Sequence, residues 1–221
     1  MTTVCAIIVA AGEGQRFGSA KQFADLRGKP VLDWTLAAFN DHPEVGEIVL
    51  VLRDEKDGAG FRARFPKIAE VVRGGARRQD SVCRGFDRVR AGAAEIVLVH
   101  DGVRPLVSPE LISRVIREAG RHGAAIPVVP VEDTIKETAG GKVVRTLDRA
   151  NLCRVQTPQG FAYAVLERAL QLACREGFAG TDEAGLVERA GAEVRVVEGD
   201  PRNIKVTTPA DLKLAEAFLG D

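Results

Sequence analysis

The chain has 221 residues, with 31 basic and 31 acidic side chains and a sequence pI near 6.9. That length suits one domain of ordinary size, and the lack of a basic surplus argues against DNA or RNA as the main partner. Any anion site must therefore be built locally, from a few Arg and Lys side chains. Cys5, Cys83, Cys153 and Cys174 are scattered with no C-x-x-C pair. This speaks against a disulfide framework or a zinc site and for a reducing, cytoplasmic setting. Met1-Thr2-Thr3 carries no basic side chain ahead of the first apolar run, so no signal peptide is expected. No stretch reaches the roughly 20 apolar residues that span a bilayer.

The run Val4 to Val9, rich in Ile and Val and stopped by small residues, reads as a buried parallel strand. Pro30 opens a helix through Asn40, with Val31, Leu32, Leu36 and Phe39 on one side. Ile48 to Leu52 and Ala69 to Val72 read as the next strands. A helix over Arg78 to Val89 leads to the clearest strand, Ile96 to His100. Ser108-Pro109-Glu110 combines a hydroxyl N-cap, a first-turn proline and an acid near the positive dipole end, so a helix runs from there to about Arg121. Ile126 to Val131 is strand-like, but Pro127 and Pro130 argue for an edge or a break. Thr134 to Thr138 and Lys142 to Leu147 flank Gly140-Gly141 as a β-hairpin, giving an arm at about residues 134–152. Thr208-Pro209-Ala210-Asp211 starts the last helix. Alternating strands and helices imply an α/β fold, a mostly parallel sheet with helices on both faces, formed as a single domain over 1–221. Ligands of such folds sit at the carboxyl ends of the strands.

Two loops at that edge carry the richest chemistry. The first, Ala10-Ala11-Gly12-Glu13-Gly14-Gln15-Arg16-Phe17-Gly18-Ser19-Ala20-Lys21, has small residues that let backbone N–H groups approach an anion, plus two cations. It is neither a Walker A motif nor a G-x-G-x-x-G fingerprint. The second, His100-Asp101-Gly102-Val103-Arg104-Pro105, offers a carboxylate suited to Mg²⁺, with capping of the next turn as the plainer alternative. In Arg73-Gly74-Gly75-Ala76-Arg77-Arg78-Gln79-Asp80-Ser81 the glycines could admit a base edge, or form an ordinary turn. Arg149 and Lys205, the latter at an expected strand end, could clamp a second phosphate.

Several motifs together carry a family resemblance. They are Gly18-Ser19-Ala20-Lys21-Gln22, Gly74-Gly75 with Asp80-Ser81, His100-Asp101-Gly102-Val103-Arg104-Pro105, Asp133-Thr134 with Lys136, Asp148-Arg149, Gln156-Thr157-Pro158-Gln159, Thr181-Asp182-Glu183, and Asn203-Ile204-Lys205-Val206-Thr207. Along nearly its whole length the chain resembles the 2-C-methyl-D-erythritol 4-phosphate cytidylyltransferases. The resemblance implies a Rossmann-like three-layer domain with a twisted sheet and a protruding β-arm that interlocks two subunits. It implies transfer of CMP from CTP to methylerythritol phosphate with Mg²⁺, giving 4-diphosphocytidyl-2-C-methyl-D-erythritol and pyrophosphate in non-mevalonate isoprenoid biosynthesis. Arg16 and Lys21 would stabilise the transition state, and Asp101 would lie by the metal. Ala10, Ala11, Gly12, Gly14, Gly75, Asp80 and Ser81 would line the nucleotide site. Arg149, Lys205, Thr134, Thr157 and Arg104 would position the second substrate, with Arg149 acting in the partner's site. Gly102 departs from members with alanine there, and the length leaves no room for a fused cyclase domain.

Two other readings stay open at this point. A ribitol 5-phosphate cytidylyltransferase would share the nucleotide half. A non-catalytic nucleotide-binding module could use the same fold, although a degenerate copy should lose some of the five charged residues Arg16, Lys21, Asp101, Arg149 and Lys205.

Overall fold

The structure, a computed structural model, describes residues 3–14, 17–90, 92 and 94–220. The expectations placed on Met1, Thr2, Gln15 and Arg16 lie outside the described residues. In chain order the first half comprises β1 (Val4–Ala10), β2 (Asp25–Leu26), β3 (Lys29–Pro30), α1 (Val31–Asn40), β4 (Val45–Leu52), α2 (Ala59–Arg64), β5 (Ile68–Arg73), α3 (Arg78–Phe86) and β6 (Ile96–Asp101). The second half comprises α4 (Pro109–His122), β7 (Ala124–Pro130), β8 (Lys136–Ala139), β9 (Lys142–Thr146), β10 (Cys153–Val155), β11 (Gln159–Ala162), α5 (Tyr163–Glu176), α6 (Glu183–Arg189), β12 (Arg195–Glu198) and α7 (Pro209–Phe218).

The main sheet runs β10-β7-β11-β6-β1-β4-β5, with β12 also paired to β7. Pairings of β1 with β4 and β6, of β4 with β5 and of β7 with β12 are parallel, while β10 and β11 run antiparallel to their neighbours. The continuous apolar run of β1 reflects burial on both faces. Ala6, Ile8 and Ala10 join α1 and α4 residues such as Leu36, Phe39 and Leu111 in one core. Cys5 and Ile7 join α3, α5 and α6 residues such as Val82, Phe86, Leu166 and Val187 in the other. The expected three-layer α/β architecture is therefore present.

Helix starts follow their local chemistry. The Ser108 side chain accepts from the Leu111 amide at 3.2 Å, Pro109 occupies the first turn, and Gly123 at φ 85° ends α4. Thr208 and Asp211 cap each other's backbone amides at the start of α7. The helix expected over Arg78 to Val89 stops as an α-helix at Phe86.

One expectation is corrected. The segment around Pro127 and Pro130 is neither an edge nor a break: β7 is hydrogen-bonded on both sides. The prolines are tolerated because each meets a gap in its own flank. The Pro127 carbonyl accepts from the Gln156 amide at 2.8 Å, so its missing N–H faces the bulge where the chain leaves β10 before entering β11. Pro130 points the other way, beyond the last β12 pairing, Glu198 with Val128.

The hairpin forms as expected. Gly140 and Gly141, at φ 55° and 75°, make a two-residue turn between β8 and β9, the geometry of a type I′ turn. Every residue of both strands is exposed, including Val143 at 62% and Val144 at 57%. No helix among the described residues is long and apolar enough to cross a membrane.

Phe161 of β11 is fully buried in the second core. Phe161→Ala should cost about 3–5 kcal/mol of stability, seen as a lower urea midpoint at unchanged slope. An unaltered midpoint would mean that this core does not hold the sheet.

Candidate functional site

Parallel register brings the carboxyl ends of four strands side by side. Val9 of β1 lies opposite Asp101 of β6, Ala10 opposite Leu52 of β4, and Leu52 opposite Arg73 of β5. The loops leaving these ends enclose two adjoining cavities. The outer one, about 910 Å³, is lined by the glycine loop from Ala11 to Gly14, by Gly74 and Gly75, and by Lys21, Arg53, Arg73 and Arg84. The inner one, about 220 Å³, reaches Ala10, Ser81, Arg78, Asp101 and Lys205, and shares Lys21 and Gly75 with the outer.

Close approach dictates the glycines of the third loop. A Cβ on Gly74 would sit 2.3 Å from the Ala11 Cβ and 2.9 Å from the Ser81 Oγ, so the two loops could not meet over a larger residue. Ser81 ties this loop together: its hydroxyl accepts from the Gly75 amide at 3.0 Å and donates to the Arg77 carbonyl at 3.1 Å. Asp80 accepts from the Arg77 amide and guanidinium at the start of α3. Gln22 is buried and donates to the Gly12 carbonyl at 3.3 Å, anchoring the glycine loop from beneath. Glu13 in that loop pairs with Arg53 at 3.0 Å across the outer cavity.

The centre of the inner cavity is Asp101, 6% exposed, whose carboxylate meets three cations. Arg78 Nε donates to Oδ1 at 3.1 Å, and Arg104 Nε and Lys205 Nζ reach Oδ2 at 3.3 Å and 3.0 Å. Burial alone would raise this carboxyl's pKa, but Arg78, Lys205 and Arg104 outweigh it and hold Asp101 well below the ordinary range. Arg78 also gives Nη1 to both oxygens of Glu183, each at 2.7 Å, and Glu183 is 1% exposed. No cluster of three His, Cys, Asp or Glu side chains that could hold a metal exists among the described residues. A cation here would rely on Asp101 as the carboxylate nearest the cavity, together with oxygens brought by a ligand. That donor set suits a hard ion such as Mg²⁺, which commonly combines one or two carboxylates with phosphate oxygens and water.

Thr157 stands behind this carboxylate. The Asp101 amide donates to Thr157 Oγ1 at 3.1 Å, and the same hydroxyl lies 3.0 Å from His100 Nδ1. His100 Nε2 faces the Arg104 carbonyl at 3.4 Å. A carbonyl only accepts, so Nε2 carries the proton, and Nδ1 accepts from the Thr157 hydroxyl. Burial pushes the His100 pKa down to about 3, which keeps the ring neutral. The segment bearing Lys205 is not the strand end expected from sequence. It is an irregular stretch fixed by discrete bonds instead: Arg104 Nη1 donates to the Asn203 carbonyl at 2.9 Å, Asn203 Nδ2 to the Thr157 carbonyl at 2.8 Å, and the Val206 amide to the Val103 carbonyl at 2.9 Å.

The structure thus gathers Ala10, Ala11, Gly12, Gly14, Lys21, Gly75, Ser81, Asp101 and Lys205 around the two cavities. Arg104 and Thr157 lie just behind, and Asp80 is spent on Arg77. Thr134 and Arg149 line neither cavity; Arg149 is exposed beside the arm and donates to the Glu132 carbonyl. Arg16 lies outside the described residues. Sequence reasoning assigned no role to Arg78 or Glu183, which stand 105 positions apart and meet only in the fold.

The buried His100 and Asp101 make stability pH-dependent. His100 takes up a proton near pH 6.5 when unfolded but only near 3 when folded, so its contribution is complete above 6.5 and is lost as pH falls toward 3. Asp101, depressed by its cations, also loses its contribution on acidification, beginning as pH falls into the ordinary carboxylate range and continuing below it. The melting temperature should therefore drop between pH 7 and pH 4. His100→Asn should flatten the upper part of that slope, and equal slopes in the two proteins would contradict the neutral buried imidazole.

Residues 4–221 match the profile of 2-C-methyl-D-erythritol 4-phosphate cytidylyltransferase. The protein of that name from Symbiobacterium thermophilum is 47% identical over 219 residues, covering 98% of this chain and 92% of its own. The crystal structure of the Thermus thermophilus protein of that name superposes with a TM-score of 0.80 at 38% identity, over 97% of this chain and 98% of the other. That from Francisella tularensis gives 0.86 at 32% identity, over 98% and 99%. A match through almost the whole length, with the same fold, leaves one reading: the chain belongs to the 2-C-methyl-D-erythritol 4-phosphate cytidylyltransferase family.

Proposed function

We propose that the chain transfers a cytidylyl group from CTP to 2-C-methyl-D-erythritol 4-phosphate, releasing pyrophosphate, as a step of non-mevalonate isoprenoid biosynthesis. The observation that carries this reading is the cavity pair between the glycine loop and Asp101, walled by Lys21, Lys205 and several arginines in a chain of zero net charge. An oxygen of the acceptor phosphate attacks the α-phosphorus of CTP in line. The bond to the β-phosphate oxygen breaks, and its electrons leave with pyrophosphate. No covalent enzyme intermediate is needed. The protein's task is to hold two anions together and screen their repulsion as charge builds on the α-phosphate.

In this mechanism the backbone from Ala10 to Gly14 and the Gly75–Ser81 loop hold the nucleotide, and Lys21, with Arg16, faces the triphosphate. Lys205 and Arg104 orient the acceptor phosphate, and Thr157 fixes the backbone at Asp101. Asp101 would hold Mg²⁺ together with triphosphate oxygens, and the ion would supply further positive charge. No zinc- or disulfide-type role is assigned to the cysteines, which are free and suit a cytoplasmic location.

The arm calls for a second copy of the chain. A two-stranded hairpin with both faces exposed is marginal on its own, and Val143 and Val144 present an apolar surface at its tip. Thr134 and Arg149 line neither cavity of their own chain. In a homodimer joined through the arms, each would serve the partner's site.

Pyrophosphate release with Mg²⁺ and CTP, offered methylerythritol 4-phosphate, ribitol 5-phosphate or no acceptor, tests the activity. Release with methylerythritol phosphate alone is expected. Release only with the linear polyol would move the enzyme to another acceptor, and CTP binding without turnover would leave a binding module. Lys21→Ala should lower kcat about a hundred- to thousand-fold, the usual loss of one transition-state donor, about 3–4 kcal/mol. Arg149→Ala should mainly raise the KM for the acceptor. Mixing the two variants under low acceptor should restore roughly a quarter of the wild-type rate if arms are exchanged, because half the dimers are mixed and each then has one intact site. No restoration would place Arg149 in its own subunit's site.

A further inference from the structure

Glu183 is a buried carboxylate, 1% exposed, at the first position of α6, and it touches neither cavity. Burying it needs a structural reason. Its neighbours are held with unusual care: Gln159 donates to the Asp182 carboxylate at 2.8 Å and accepts from the Ala184 amide at 3.1 Å, fixing the backbone on both sides of Glu183. Both Glu183 oxygens are then taken by one nitrogen, Nη1 of Arg78.

The consequence is felt at Asp101. A guanidinium beside a carboxylate prefers the two-pronged, fork-to-fork arrangement. Here Arg78 instead divides itself between two carboxylates, giving Nε to Asp101 Oδ1 at 3.1 Å and Nη1 to Glu183. Oδ2 already receives Arg104 and Lys205, whereas among the described residues Oδ1 receives Arg78 alone. A carboxylate oxygen has about two acceptor positions, so Oδ1 keeps one for a ligand in the inner cavity. Without the charge of Glu183, Arg78 would lose its anchor at Nη1, and with it the fixed Nε contact that orients Oδ1.

We infer that Glu183 is a positioning residue for the transfer reaction: by holding the Arg78 guanidinium it fixes the Nε contact that orients Asp101 Oδ1 at the cavity. The inference rests on the reading of Asp101 as the metal-holding carboxylate. Glu183 needs no contact with substrate, so its effect should appear in metal affinity and kcat and not in the nucleotide's own binding.

The test uses the full chain carrying Glu183→Gln, which keeps the shape and loses the charge, with Arg78→Lys as a second variant that keeps the charge and loses the fork. Binding of Mn²⁺ to the protein–CTP complex is followed by electron paramagnetic resonance of free Mn²⁺, alongside CTP affinity in EDTA and steady-state kcat. Both variants should bind Mn²⁺ and turn over about 10–100-fold less well, the usual effect of removing a residue that orients a metal ligand. In Glu183→Gln, whose altered side chain lines neither cavity, CTP affinity in EDTA should change less than twofold. If Glu183→Gln fails to unfold cooperatively, Arg78→Lys decides. Wild-type Mn²⁺ affinity in a folded variant, or an equal loss of CTP affinity in EDTA in Glu183→Gln, overturns the inference. Asp101→Asn separates the two readings: if it leaves Mn²⁺ binding intact, the assignment of Asp101 is at fault, whereas loss there with none in Glu183→Gln sinks only the role of Glu183.

Discussion

The structure turns on one buried carboxylate. Asp101 sits at the end of β6 with three cations on its two oxygens, and Glu183 adds a second carboxylate behind Arg78. Removing charges from water is costly, and the cost is recovered only when each charge meets its opposite in good geometry. Here three cations face two carboxylates, so the network as a whole keeps a surplus of one positive charge. A chain with no net charge thereby offers phosphate a positive wall in one place.

The rest of the fold can be understood as support for that point. The parallel strands deliver Ala10, Arg73 and Asp101 to one edge. The antiparallel insertion of β11 between β6 and β7 brings Thr157 directly under the Asp101 amide. The irregular stretch around Asn203 then crosses the same region and sets Lys205 on the carboxylate. His100, neutral and enclosed, completes the chain of donors without adding a charge. Each support is a directed hydrogen bond, so small displacements would be felt at the carboxylate.

The arm obeys a different logic. It has a well-formed turn and register but no core of its own. A hairpin of this kind is marginal alone, which is why a second copy of the chain enters the proposed mechanism.

Much of this was legible in the amino-acid order alone, wherever the controlling physics is local. The two-sided burial of Val4 to Val9, the caps at Ser108 and Thr208 and the Gly140-Gly141 turn all act within a few positions, and each is present in the fold. The prolines of β7 were misjudged because whether a missing N–H matters depends on which neighbour faces it, and those neighbours come from β10, β11 and β12. The segment around Lys205 reads as a strand end in sequence, whereas the contacts that hold it come from Arg104, Thr157 and Val103, all remote in the chain. Arg78 and Glu183 each fall in a motif that the sequence singles out, but nothing local says that they meet. A salt bridge across 105 residues exists only once two helices have packed on the same face of the sheet. Sequence by itself determined the elements, the turns and the residue types available for anion chemistry. Tertiary structure alone decided which of those charges meet, because electrostatic pairing and desolvation depend on distance in space and burial, and neither is a property of neighbouring positions in the chain.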